Sequence, residues 1–174
     1  MMRIYLIGFM GSGKTHTGKA LARQLGYIFT DLDDLIEKEA GMDIPAIFRK
    51  MGEEEFRRIE QKVLHDTSTI ERVVISTGGG VPCFFDNIDW MNAHGLTVFL
   101  DTPPEILAQR LMPERAHRPL LQAYNEDTLL GFIRAKLSER MYFYRQAEII
   151  YQQQELAGDV ASDLLKVIDG KRKT

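Results

Sequence analysis

Short apolar runs alternate along the chain with longer stretches whose apolar positions recur every three or four residues. Arg3 to Ile7 (RIYLI) is a β-branched and aromatic run ending in glycine, the pattern of a buried strand entering a turn. Lys14 to Leu25 follows with an apolar side of Leu21, Ala22 and Leu25, and Gly26 closes this predicted helix. Ile28 to Thr30 reads as a second strand, and Asp31 opens an acidic helix that runs through Ala40 and stops at Gly41. From about Pro45 to Thr69, Ile47, Phe48, Met51, Phe56, Ile59, Val63 and Leu64 mark a long helical stretch that Gly52 is expected to break in two. Val73 to Ser76 and Thr97 to Leu100 are the third and fourth strands, and Pro103 with Pro104 starts a helix reaching about Leu111. Met112 to Tyr124 has no period and two prolines, and reads as a loop or mobile flap. A helix over Glu126 to Arg145, a fifth strand over Glu148 to Tyr151 and a last helix over Ala157 to Ile168 complete the pattern.

Buried strands alternating with helices imply parallel pairing through right-handed crossovers. The expected fold is therefore an α/β protein, a three-layer α/β/α sandwich with a five-stranded parallel sheet, as one domain over residues 1–174. Ligands in such sheets bind beyond the carboxyl ends of the strands. The glycine-rich and acidic segments (residues 8–15, 31–33 and 78–80) all follow predicted strands.

Composition narrows the picture. A formal charge of -3 argues against nucleic-acid binding as the main work, and the one basic run, Lys171-Arg172-Lys173, reads as a solvated tail. No apolar stretch approaches the roughly 20 residues of a membrane helix. The apolar N-terminus is interrupted by Gly11-Ser12-Gly13-Lys14 before any cleavage-like site, so no signal peptide is expected. The single cysteine, Cys83, cannot form an intramolecular disulfide and reads as a small buried apolar residue. These features point to a cytoplasmic protein, and His16, His65 and His94 are too scattered to argue a metal site.

Residues 8–15 (GFMGSGKT) match G-x-x-x-x-G-K-[ST] between a predicted strand and a predicted helix, the context a phosphate-binding loop requires. Glycines let successive N–H groups converge on phosphate oxygens, and the helix N-terminus adds partial positive charge. Lys14 would then meet the β and γ oxygens of a nucleotide, and the Thr15 hydroxyl would ligate Mg²⁺. No Asn-Lys-x-Asp segment marks a GTPase. Asp101, at the end of the fourth strand, resembles a Walker-B acid but runs straight into Thr102-Pro103-Pro104, and is read as a loop or helix-capping residue.

Other segments are weak alone. Asp31-Leu32-Asp33 sets two carboxylates at alternate positions after a strand, fit for Mg²⁺ water or for a hydroxyl proton; with Asp34, and taken alone, it reads first as a helix N-cap. The stretch GEEEFRRIE (residues 52–60) reads as surface ion pairing. Thr77-Gly78-Gly79-Gly80 reads as a turn with free backbone N–H groups.

Together, GFMGSGKT, FTDLDDLIE, GEEEFRRIE, STGGG, HRPLL and ERMYFYRQA, in this order and over nearly the whole chain, resemble the shikimate kinase family of P-loop kinases. The resemblance implies ATP and Mg²⁺ as cofactors and transfer of the γ-phosphoryl group to the 3-hydroxyl of shikimate. It implies that Lys14, Asp33 and Arg118 are catalytic, with Asp33 orienting or deprotonating the acceptor hydroxyl. Nucleotide contacts are implied for Gly11, Ser12, Gly13, Lys14, Thr15, His16, Arg110 and Arg118, and metal contacts for Thr15 and, through water, Asp31. Acceptor contacts are implied for Asp33, Arg57, Gly78, Gly79, Gly80 and Arg140, the two arginines holding the carboxylate. Acceptor-binding helices over about residues 31–64, a lid over about 112–124 and a monomer without nucleic-acid or membrane partners complete the expectation. Two details depart from the family pattern: Met141-Tyr142 stands where many relatives carry Glu-Pro, and His117 precedes Arg118. Another small-molecule kinase of the same fold, such as gluconate kinase, whose acceptor is also a polyhydroxy acid, and an inactive nucleotide-binding regulator are the competing readings.

Overall fold

The computed structural model of the protein describes residues 2–117, 121–154 and 159–172. The strands are β1 (Arg3–Ile7), β2 (Ile28–Asp31), β3 (Val73–Ser76), β4 (Leu96–Asp101) and β5 (Ile149–Gln152). The helices are α1 (Lys14–Leu25), α2 (Leu32–Ala40), α3 (Ile44–Asp66), α4 (Asn87–His94), α5 (Pro104–Leu111), α6 (Glu126–Tyr144) and α7 (Val160–Arg172). All strand pairs are parallel, in the order β2-β3-β1-β4-β5.

The two-residue period of β1 splits the core into two layers. Ile4 and Leu6 face Leu21 and Ala22 of α1 and Leu164 and Ile168 of α7. Tyr5 and Ile7 face the opposite layer, where Ile36, Leu64, Met91, Leu107 and Ile133 represent α2 to α6. Each fully buried aliphatic side chain contributes roughly 1.5–3 kcal/mol, so the sheet is held from both sides. The edge strands are less covered, with Ile28 and Ile150 exposed.

Local signals account for most element ends. Gly26 and Gly41 cap α1 and α2 in left-handed conformations. Asp43 starts α3 by accepting from the Ala46 N–H at 2.7 Å, and Asn125 with Thr128 forms a capping box on α6. Gly52 breaks α3 with φ 82 and ψ 174, a kink open to glycine because no side chain resists it.

Four expectations change. Asp101 ends β4 instead of capping a helix: α5 has Pro103 at its N-cap and no side-chain cap, and the Asp101 carbonyl accepts from the Gln153 N–H at 2.8 Å. Lys171 and Arg172 belong to α7, not to a tail, because Lys171 Nζ reaches Glu148 Oε2 at 2.8 Å. The final helix runs Val160–Arg172 against an expected Ala157 to Ile168, and residues 155–158 lie outside the described residues. Residues 87–94, unassigned from sequence, form α4, short enough that Ile88 and Met91 give too little period to read. Among the described residues no helix is long and apolar enough to cross a membrane.

Candidate active site

The phosphate loop follows directly from β1. Gly13 stands at the N-cap of α1 with φ 87, a conformation that side chains resist. A methyl at Gly11 would stand 2.9 Å from the Leu111 side chain, so α5 packs against the bare backbone of the loop. The Ser12 N–H donates to the Phe9 carbonyl at 3.1 Å, closing the turn. Lys14 is 9% exposed, and its Nζ donates to the Gly8 and Phe9 carbonyls at 2.9 Å each. The chain thus folds its own ammonium group over the loop, beside the positive end of α1.

Strand register brings the second segment alongside. Asp31 pairs with Ser76, and Ser76 with Leu6, so the carboxyl ends of β2, β3 and β1 are level. The Thr15 hydroxyl donates to Asp31 Oδ2 at 2.9 Å and lies 3.4 Å from Ser76 Oγ. Asp31 also accepts from the Asp33 N–H at 3.1 Å as the N-cap of α2, so capping and cleft roles fall to the same carboxylate. Asp33 reaches the same cleft from the first turn of α2 and not from an extended strand, a correction to the alternation argument.

A cleft of about 720 Å³ joins these groups, lined by residues 10–17, Asp31, Asp33, Ser76 to Gly79, Arg110 and Gln153 among others. His16 lines it as an exposed residue of α1. Arg110 Nη1 donates to the Gly11 carbonyl at 3.2 Å and to Gln153 Oε1 at 3.1 Å. Gln153 is buried and donates from Nε2 to the Ser12 carbonyl at 2.8 Å, tying the strand after α6 to the phosphate loop.

At the edge of the cleft the three glycines each meet a charged neighbour. A methyl at Gly78 would stand 3.2 Å from Asp33 Oδ1 and 3.6 Å from Glu60 Oε1. One at Gly79 would stand 3.0 Å from Arg140 Nη1, and one at Gly80 would stand 2.9 Å from both terminal nitrogens of Arg57. Arg57 Nη1 donates to buried Glu60 Oε2 at 2.8 Å, and its guanidinium lies 3.9 Å from the centre of the Phe84 ring. The Arg140 guanidinium lies 5.4 Å from the centre of Phe9. Arg57, Gly80 and Arg140 do not line the 720 Å³ cleft itself; they adjoin it through the glycine turn.

Burial sets the charges. Desolvation, and after it the neighbouring Asp31 charge, pushes Asp33 up to about 6, against the pull of the Lys14 cation. Burial also raises Glu60, opposed by Arg57. It pushes the Cys83 thiol up to about 11, which keeps it protonated at neutral pH, in line with a packing residue. Thr15 and Ser76 hydroxyls with the Asp31 carboxylate form an oxygen-donor set of the kind Mg²⁺ uses when phosphates complete its shell.

Of the residues expected at the site, Gly11 to His16, Asp31, Asp33, Gly78, Gly79 and Arg110 share the cleft, with Arg57, Gly80 and Arg140 next to it. Arg118 lies outside the described residues. Glu60, Phe84, Gln153, Ser76 and Tyr144 were not foreseen. Glu60 follows Arg57 by three positions on one helix, a spacing that pairs side chains and carried a usable signal. Gln153 carried none, since its partners are distant in sequence.

A glycine-rich loop with a lysine folded over it, at the carboxyl ends of a parallel sheet and facing a half-buried carboxylate, defines a P-loop kinase. The profile of the shikimate kinase family matches residues 10–169. Shikimate kinase from Bacteroides fragilis is 50% identical over 151 residues, 87% of this chain and 84% of that protein. The crystal structure of shikimate kinase from Bacteroides thetaiotaomicron superposes with a TM-score of 0.91 at 42% identity, covering 97% of this chain and 98% of that one. Shikimate kinase from Acinetobacter baumannii, solved in complex with shikimate, superposes with a TM-score of 0.86 at 36% identity, covering 100% and 96%. The chain belongs to the shikimate kinase family, ATP-dependent enzymes that phosphorylate shikimate.

Proposed function

We propose that this chain transfers the γ-phosphoryl group of ATP to the 3-hydroxyl of shikimate, releasing ADP and shikimate 3-phosphate, with the residues of the cleft dividing the work. The observation that carries the reading is the meeting of Lys14 and Asp33 in one cleft, next to two arginines seated on a glycine turn. Residues 11–15 hold the phosphates through backbone N–H groups and Lys14, which offsets the charge of the transferring group. His16 and Arg110 flank the nucleotide, and Gln153 keeps Arg110 aligned with the loop. Arg57 and Arg140 grip the acceptor carboxylate, and Gly78 to Gly80 set bare backbone against Asp33, Arg140 and Arg57, closely enough that a methyl at Gly80 would displace the Arg57 guanidinium.

Asp33 accepts the proton of the attacking hydroxyl. Its value of about 6 leaves it ionised at neutral pH yet basic enough to take that proton. The hydroxyl oxygen forms the new bond to phosphorus, and the bond from phosphorus to the leaving ADP oxygen breaks. Mg²⁺ fits Thr15, Ser76 and, through water, Asp31, and when bound supplies neutralisation of phosphate charge. Residues 112–124 form the lid of this proposal, from which Arg118 stabilises the transferring phosphoryl group and water is kept out. The proposal also describes a cytoplasmic protein acting as a monomer.

ADP release from the purified protein with MgATP, compared with shikimate, gluconate and no acceptor, tests the reading. Stimulation by shikimate alone is expected. Stimulation by gluconate would replace the acceptor, and turnover indifferent to both would leave a nucleotide-binding role.

A further inference from the structure

Tyr144, on the last turn of α6, is wholly buried, with its ring tilted against Phe99 at 4.9 Å between centroids. A buried phenol hydroxyl requires a partner, and this one donates to the Gly79 carbonyl at 2.6 Å across 65 positions of sequence. Arg140 stands one turn earlier on the same helix and approaches the same glycine. A methyl at Gly79 would stand 3.0 Å from Arg140 Nη1, 3.4 Å from the Gly8 carbonyl and 3.6 Å from the Tyr144 hydroxyl. The glycine turn, the acceptor arginine and the first carbonyl of the phosphate loop therefore meet at one point, and Tyr144 is bonded to the first of them.

We infer that Tyr144 is a positioning residue of the acceptor half, whose hydroxyl anchors the Gly79 carbonyl to α6 and so holds the glycine turn in register with Arg140 of the same helix for the incoming carboxylate. The physical need is specific. Three consecutive glycines have more backbone freedom than any other tripeptide, and an arginine on a helix end has many rotamers. Ordering both at each binding event would weaken affinity, whereas a buried hydrogen bond made on folding removes that cost beforehand. A phenylalanine would fill the same space against Phe99, so packing alone does not call for the hydroxyl.

The inference rests on the assignment of Arg140 and Gly79 to the acceptor, and the experiment separates the two. Tyr144→Phe deletes one oxygen, keeps the ring and leaves the Gly79 carbonyl unpaired. KM for shikimate is expected to rise roughly tenfold, with kcat and KM for ATP within about twofold, because only acceptor geometry is loosened. Placed on Arg140→Ala, the same change is expected to add less than about threefold, since the register that Tyr144 holds serves Arg140. If Arg140→Ala raises KM for shikimate while Tyr144→Phe leaves it unchanged, the inference fails and the acceptor assignment stands. Equal rises for both substrates, or full additivity with Arg140→Ala, would make Tyr144 a general packing residue and also overturn it. Should Arg140→Ala itself leave shikimate KM unchanged, the acceptor assignment falls and the inference with it.

Discussion

The two halves of the site are built in opposite ways. The phosphate half comes from consecutive residues 8–15 and works largely through backbone: the Ser12 N–H closes the turn, and Lys14 leans on the Gly8 and Phe9 carbonyls of its own loop. The acceptor half, as proposed, draws Asp33 from α2, Arg57 and Glu60 from α3, the glycine turn after β3, and Arg140 and Tyr144 from α6. A backbone-built site depends on a few local conformations. A side-chain site depends on every element that carries one of its members, and so it is where small steric changes should have selective effects.

The largest break is expected in the phosphate half. Lys14→Ala removes the cation that meets transferring charge, and kcat measured by ADP release should fall by on the order of 10³-fold while the fold persists. A smaller and more selective effect is expected from Gly80→Ala. Its methyl would collide with the Arg57 guanidinium at 2.9 Å, so KM for shikimate should rise roughly 10- to 100-fold with KM for ATP little changed. An unchanged shikimate KM would dissolve the contrast between the halves.

The pH profile sharpens the comparison at the point where the halves meet. With Asp33 raised to about 6, kcat/KM for shikimate should fall about tenfold per pH unit below that value and level off above it. The stability effect has the opposite sense. Between about pH 4 and 6 the folded state keeps a proton that the unfolded chain has released, so stability declines as pH rises through this window. Asp33→Asn, which cannot ionise, should therefore lose turnover yet gain at most about 3 kcal/mol over the parent above pH 6, read by denaturant unfolding. The smallest effect serves as a control: Gly131, within α6, has nothing within 4 Å of an added methyl, and Gly131→Ala should leave both KM values alone while adding about 0.5–1 kcal/mol of stability.

Both halves were legible in the sequence to different depths. The phosphate loop could be read outright, since its glycines, Lys14 and Thr15 are adjacent and the flanking periods give strand and helix. The acceptor roles proposed for Asp33, Arg57 and Arg140 were fixed by resemblance; taken by themselves, Asp31-Leu32-Asp33 reads first as a helix cap and GEEEFRRIE as a solvated face. The solvated-face reading missed that Glu60 is buried and bonded to Arg57, because helical spacing says which residues share a face but not whether another element covers it. His65 and His94, scattered in sequence, flank Trp90 with ring centres 4.5 and 4.2 Å away, a packing arrangement that no spacing rule announces.

By itself the sequence determined what neighbouring residues can decide: the alternation of strands and helices, the glycine stops, the break at Gly52 and the phosphate loop. These depend on backbone dihedrals and side-chain periods within a few positions. Tertiary structure decided the strand order β2-β3-β1-β4-β5, the level carboxyl ends that set Thr15 beside Asp31, and the bonds from Gln153 to Ser12 and from Tyr144 to Gly79. It also decided the raised value of Asp33, since desolvation is a property of what packs around a carboxylate. Contacts across 141 and 65 positions form only once parallel crossovers have brought distant segments to one edge of the sheet, and no local rule encodes that meeting.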